Sequence, residues 1–223
     1  MLPSSNHTLM KQGEFIKIEY EARIINTGML FDTTKIELAA KTGISGAEGP
    51  ETILVGENYV LKGLDEELEK HTVGDEFTIT LTPEKAFGKR RGEMIRTFSL
   101  QMFKKEKINP VPGLVLNLAG MNGKILSVSG GRVRMDFNHP LAGKAVQYKT
   151  KILEKVTDEK EKLKAIIKAR MRITPEITKQ KEKIIITTEK EMPKQAIEIL
   201  KPEIEKHVKT KLEFKTKPAK KEK

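Results

Sequence analysis

The chain has 223 residues, enough for one large domain or two to three small ones. It is 33% charged and 5% aromatic, contains no cysteine and carries a formal net charge of +11. Its cores must therefore be aliphatic, and disulfides and thiolate metal sites are excluded, which fits a reducing, cytoplasmic compartment. No run of about 18 apolar residues is present to span a membrane, and residues 1–9 lack the layout of a secretory signal and read as a disordered leader or tag. The charge is uneven. Residues 158–223 hold 20 Lys and Arg against 12 Asp and Glu, whereas the first 157 hold 22 against 19.

Residues 15–25 alternate, with Ile16, Ile18, Tyr20 and Ala22 on one register, and predict a half-buried strand. Asn26, Thr27 and Gly28 form a turn, and residues 29–32 begin the return strand. Residues 34–41 predict a short helix ended by Gly43, and residues 52–56 a short strand. Val60, Leu61, Leu64 and Leu68 fit a helix opening just after Gly63, with Asp65, Glu66 and Glu67 in an acidic first turn that suits the helix dipole. Residues 75–82 alternate again, with Phe77, Ile79 and Leu81 inward, before a turn over residues 83–88.

After the polar break at Lys89, Arg90, Arg91 and Gly92, residues 95–137 predict a separate small β unit. Its strands are expected at 98–103, 114–118, 123–128 and 132–137, with Gly130 and Gly131 as a hairpin turn. Asp136 to Lys144 then joins two alternating stretches, the second running through Val146, Tyr148, Thr150 and Ile152. Beyond Val156 the pattern becomes α+β. Leu163, Ile166 and Ile167 mark a helix, Ile184 to Ile186 a strand, Ile197, Leu200, Ile204 and Val208 a second helix kinked or broken at Pro202, and Leu212 and Phe214 a last strand. Residues 217–223 are a basic tail.

Several chemistries are absent. There is no phosphate-binding loop and no serine nucleophile elbow. Gly43, Gly46 and Gly49 lack the strand-to-helix setting of a nucleotide loop, and the four histidines stand singly, which argues against a zinc site. No cofactor is expected.

What remains is a spaced set: Tyr20, Phe31-Asp32, Val55-Gly56, Val60-Leu61, Gly63, Gly74, Pro83-Glu84, Ala86-Phe87-Gly88 and Tyr148. In order and spacing it resembles the FKBP-type peptidyl-prolyl isomerases, and the stretch between Gly88 and His139, with Gly123-Lys124-Ile125 and Val128 to Val133, is similar to the insert-in-flap domain of the SlyD-like branch. The long archaeal type of that family resembles the whole chain.

The resemblance implies an α+β fold. An FKBP-like antiparallel half-barrel wrapped on a short helix (residues 10–88 and 139–156) would carry an inserted small β-rich domain (89–138), followed by a C-terminal α+β domain (157–216). It further implies a proline pocket in which Tyr20, Asp32, Phe87 and Tyr148 act on the substrate and Phe31, Ile53, Val60, Leu61 and Leu64 bind it, the Leu61 N–H receiving a substrate carbonyl. Leu64 stands where many members carry an aromatic floor and Phe87 where many carry tyrosine, so one rim hydroxyl is lost.

The inserted domain, rich in apolar residues such as Phe98, Met102, Phe103, Val111 and Val115, is expected to bind unfolded chains. Partners are thus unfolded or proline-containing polypeptides. A homodimer through the C-terminal stripe Ile197, Leu200 and Ile204 is a further expectation. The alternative reading is a non-catalytic chaperone or a nucleic-acid- or ribosome-binding module using the basic C-terminal domain; no membrane partner is expected.

Overall fold

The computed structural model describes residues 8–180, 183–188 and 192–216; most of the expected leader and the whole basic tail lie outside them. Two compact units result. One comprises the chain up to Leu81 and from Gln147 onward, the other Thr82–Val146.

The first unit begins with β1 (Phe15–Ile24), β2 (Leu30–Thr33), α1 (Ile36–Thr42) and β3 (Glu51–Leu54). It continues with α2 (Lys62–Leu68) and β4 (Glu76–Leu81), and the chain returns to it in β9 (Val146–Lys155). The sheet runs β2-β1-β9-β4, with β3 also paired to β1. Alternation in β1 buries Ile16, Ile18, Tyr20, Ala22 and Ile24, the face expected from a period of two. In α2 the helix starts at Lys62 and takes in Gly63, earlier than the pattern suggests, which opens the helix just after Gly63.

Phe15, on the opposite register of β1, is also buried. The cover is the C-terminal segment, built of α4 (Glu159–Met171), β10 (Glu176–Gln180), β11 (Lys183–Thr188), α5 (Lys194–His207) and β12 (Lys211–Thr216). Its sheet runs β10-β11-β12, antiparallel then parallel. Asp158 caps α4, accepting from the Lys160 and Glu161 N–H groups at 2.9 Å, as an N-terminal aspartate should. Leu163, Ile166, Ile167, Ile184, Ile186, Leu200 and Ile204 form one core with Phe15, Leu54 and Val156.

Leu200 and Ile204 of the C-terminal stripe pack into their own chain's core, while Ile197 is only partly buried against it. Of the kink or break expected at Pro202, no break occurs: helix α5 runs unbroken through it, and the proline sits on the exposed side. Burial of Leu200 and Ile204, with Ile197 packed beside them, offsets the lost hydrogen bond of one proline, roughly 3 kcal/mol.

The second unit contains β5 (Ile95–Ser99), α3 (Leu100–Lys105), β6 (Val115–Leu118), β7 (Met121–Ser129) and β8 (Arg132–Asp136), in the order β5-β8-β7-β6. Residues 100–103, expected as strand, are the start of α3, whose first turn is capped by the Ser99 hydroxyl accepting from the Gln101 N–H at 3.3 Å. Gly130 and Gly131, with φ of 55° and 72°, make the hairpin turn that requires two left-handed residues. Phe103, Ile125, Val133, Met135 and Phe137 form the core, with Phe98 edge-on to Phe103 and Phe137.

The departing and returning chains of this unit are tied together. The Gly143 N–H donates to the Gly88 carbonyl at 2.8 Å. The Arg91 N–H donates to Asn138 Oδ1 at 2.8 Å, and Asn138 Nδ2 donates back to the Arg91 carbonyl at 3.0 Å. Arg90 grips Asp136 through Nε and Nη2 at 3.0 and 2.6 Å. Burial opposes ionisation of Asp136, but bonds from Asn138 and Arg90 outweigh it and hold its carboxyl below the usual range.

Two consequences can be measured. A Cβ on Gly123 would lie 2.6 Å from Phe137 Cε1, so Gly123→Ala should destabilise the second unit by about 1–3 kcal/mol; an unchanged urea midpoint for that unit would show that the ring yields freely. The other concerns His207, whose Nε2 is buried without a partner among the described residues and whose ring is edge-on to Phe15 at 5.1 Å.

Burial first, then the charges of Lys206 and Lys162, push its pKa down, while Glu203 and Glu57 act the other way. The folded chain thus binds this proton less readily than the unfolded one. The stabilisation is whole above about pH 6.5 and declines as pH falls below it. Between pH 7.5 and 5.5 the wild type should lose more stability in urea than His207→Gln; equal losses would mean that His207 contributes nothing to the pH dependence.

Candidate active site

Tyr20 is the pivot of the expected site. Its backbone is fixed by the chain at the end of β2: the Tyr20 N–H donates to Thr34 Oγ1 at 2.8 Å, and its carbonyl accepts from Thr33 Oγ1 at 2.8 Å and from the Thr34 N–H at 3.1 Å. These threonines are buried, and their hydroxyls help to hold β1 against β2. The same pairing sets Asp32 opposite Ala22. The Tyr20 hydroxyl then reaches Asp32 Oδ2 and donates to it at 3.1 Å.

Strand β9 brings Tyr148 to the same place. Its ring centroid lies 5.5 Å from that of Tyr20, tilted by 50°, and 6.2 Å from that of Phe31, nearly perpendicular. Both spacings are those of favourable aromatic pairs. Burial, and after it the Asp32 charge, raises the Tyr20 phenol far above its ordinary pKa, and the same two causes in the same order raise Tyr148. Both hydroxyls therefore remain protonated donors throughout the neutral range.

Of the other expected residues, Ile53 on β3 and Leu64 on α2 are fully buried, while Val60 and Leu61 are half-buried in the connection leading to α2. The Leu61 carbonyl accepts the Leu64 and Asp65 N–H groups at 2.9 and 3.0 Å, and its own N–H meets no acceptor among the described residues. Phe87 belongs to the second unit, where its ring stacks on His139 at 4.6 Å and 2°. His139 Nδ1 accepts the Leu141 N–H at 3.2 Å, which makes this histidine a turn residue. Among the described residues no group of three or more His, Asp or Glu side chains is arranged to hold a metal, and no helix is long and apolar enough to cross a membrane.

Sequence reasoning missed Thr33 and Thr34, and it found only part of the role of Asp65. Asp65 lies in the first turn of α2, as expected, and is only 4% exposed. Its carboxylate also accepts the Gly56 and Asn58 N–H groups at 2.9 and 3.0 Å, fixing the turn that leads to Val60. The signal that could have found it is the turn itself, since Gly56 and Asn58 both take positive φ, 84° and 57°.

A donor-bearing aromatic cluster beside one carboxylate suits chemistry in which binding and orientation of the substrate do the work. The comparisons with known proteins agree. Residues 7–106 match the model of the FKBP-type peptidyl-prolyl cis-trans isomerase, and residues 99–141 match that of the FKBP26 IF domain.

The chain is 31% identical over 147 residues to a short-type peptidyl-prolyl cis-trans isomerase of Methanocaldococcus jannaschii, spanning 65% of this chain and 92% of that one. It is 32% identical over 110 residues to an FKBP-type 16 kDa isomerase of Escherichia coli, 47% of this chain and 73% of the relative. The isomerase SlyD of Aeromonas hydrophila is 31% identical over 105 residues, 46% of this chain and 50% of the relative. With nearly the whole of the archaeal relative covered, this chain belongs to the FKBP-type peptidyl-prolyl cis-trans isomerase family.

Proposed function

We propose that the chain accelerates X-Pro rotation in a pocket formed by Tyr20, Asp32 and Tyr148, with Phe31, Ile53, Val60, Leu61 and Leu64 binding the proline and its neighbours and Phe87 a further residue that the family resemblance assigns to the reaction. The observation that carries this reading is the clustering of the Tyr20, Tyr148 and Phe31 rings, with the Tyr20 hydroxyl bonded to the Asp32 carboxylate. Rotating the bond meets a barrier of roughly 18–20 kcal/mol because the twist breaks amide resonance. A catalyst need only bind the twisted amide better than the planar one.

The twisted imide is less polar than the planar ground state, so an apolar, water-poor wall favours it. The Leu61 N–H would hold a substrate carbonyl on one side, and the Asp32–Tyr20 pair would supply the polar edge. Leu64 in place of a larger aromatic leaves a roomier floor, which loosens ligand contact without removing the apolar wall.

The inserted domain would hold unfolded chain. Phe98, Leu100, Phe103, Leu116 and Leu118, all counted among its apolar residues, are engaged in its own core. Met102, Val111, Val115 and Met121 are exposed, Val115 at 57%. Two of these are methionines, which adapt to varied partners, and exposed apolar residues of this kind would supply the contacts of an interaction surface. Tethered to the isomerase domain, this surface raises the local concentration of a client's prolines at the pocket. Clients in this reading are unfolded or proline-containing polypeptides of the cytoplasm, a location supported by the absence of cysteine.

A protease-free isomerisation assay on a tetrapeptide tests the pocket. Asp32→Ala removes a charged hydrogen-bond acceptor worth about 1.5–3 kcal/mol, so kcat/KM should fall about 10- to 100-fold, and Phe87→Ala should fall comparably. Wild-type rates in both variants would dismiss the assigned pocket. Replacing residues 92–136 by a short linker should spare the tetrapeptide but cripple proline-limited refolding of a protein. If both activities fell together, the division of labour would be wrong.

A further inference from the structure

The segment from Gly56 to Leu61 connects β3 to α2 and carries Val60 and Leu61. Asp65 holds its first half by the two backbone bonds described above. Its second half is held from the C-terminal domain. The Tyr59 hydroxyl donates to Glu203 Oε1 on α5 at 3.0 Å, a contact between residues 144 positions apart.

Arg170 on α4 closes on Glu203 through two bonds, Nε to Oε2 at 2.9 Å and Nη2 to Oε1 at 3.0 Å, and its guanidinium lies over the Tyr59 ring, 5.3 Å from the centroid. Glu57 in the same segment faces Arg170 at 3.9 Å and Lys206 at 3.8 Å.

This arrangement is more than a surface ion pair. Arg170 and Glu203 meet in a bidentate fork, which fixes orientation as well as distance. Burial works against the charge on Glu203, but the bonds from Arg170 and Tyr59 outweigh it and hold its carboxyl below the ordinary range. Burial, and next the Glu203 charge, keeps the Tyr59 phenol protonated, so the donor is present at neutral pH. Tyr59 immediately precedes Val60, and a displacement of about 1 Å at substrate-holding groups can cost on the order of 100-fold in rate.

We infer that Glu203, oriented by Arg170, is a positioning residue of the isomerase site, through which the C-terminal domain sets the placement of Val60 and the Leu61 N–H by way of Tyr59. The inference rests on the assignment of Val60 and Leu61 to the substrate. A loop so anchored loses substrate binding when released, whereas a merely structural contact would lower the fraction of folded enzyme. The first outcome raises KM and the second lowers apparent kcat at constant KM.

The experiment uses the full chain, the protease-free tetrapeptide assay over a range of substrate concentrations, and five variants. Tyr59→Phe and Glu203→Ala should each raise KM about two- to tenfold, the worth of one hydrogen bond, with kcat nearly unchanged. The double variant should be no worse than either single one, since both break the same link. Glu203→Gln, which keeps an acceptor for Tyr59, should recover most of the wild-type KM.

Wild-type KM in Tyr59→Phe and Glu203→Ala, or additive effects in the double variant, overturns the inference. Asp32→Ala run in parallel separates the two levels. If it loses activity while the other variants keep wild-type KM, only the inference falls. If Asp32→Ala itself retains wild-type kcat/KM, the site assignment falls and takes the inference with it.

Discussion

Strand β1 is paired to β2, β3 and β9 at once, and its register decides where both faces of the protein's first unit go. One face delivers Ile16, Ile18 and Tyr20 to the interior; the other delivers Phe15 to the core shared with α4, β11 and α5. A slip of one residue would exchange the faces. Tyr20 would leave Tyr148 and Asp32, and Phe15 would leave its seat under His207. The buried threonines at the end of β2 guard against that slip, because their hydroxyls bond to the Tyr20 backbone in its native position. The site and the docking of the C-terminal domain are thus two results of one strand register.

The second unit obeys a different constraint. A long excursion between two strands of one sheet carries a loop-closure cost that grows only slowly with length, so the insertion is tolerable if its ends are held. Gly88, Gly143, Arg90, Arg91, Asp136 and Asn138 do this with hydrogen bonds across the neck. Gly143 is needed there for more than its positive φ: a Cβ would press to 3.2 Å on Arg90 Cβ. Phe87, one residue before Gly88, and His139, four residues before Gly143, stack on each other. A candidate site residue therefore sits at the mouth of the insertion and depends on its closure.

Much of this was legible in the residues. Period-two alternation found β1, β4 and β9, and family spacing pointed to Tyr20, Phe31, Asp32 and Tyr148 as neighbours. Local pattern failed where another signal was stronger. Phe98, Leu100 and Met102 alternate as a strand would, yet Ser99 caps a helix and turns Phe103 into the core. Pro202 suggests a break, yet the apolar face of α5 carries the helix through. Thr33, Thr34 and Asp65 act on backbone N–H and carbonyl groups, and such bonds leave no periodicity to read. The Tyr59–Glu203 contact joins two segments that nothing local relates.

In the basic C-terminal third several charges meet partners within the protein. Lys168 meets Glu48 and Glu51, Lys206 meets Glu57, and Glu161 meets Lys17 of β1; Lys179, Lys183 and Lys215 meet carboxylates of their own domain. Individually these exposed pairs contribute between nothing and about 1 kcal/mol, too little to dock a domain. The docking comes from the apolar core beneath them, around Phe15, Leu54 and Leu163. An apolar contact does not choose its own rotation, however, and flexible lysines alone cannot fix it. That task falls to the groups with directional geometry, the Arg170–Glu203 fork and the Tyr59 hydroxyl, and these meet the isomerase domain at the segment that leads into Val60 and Leu61.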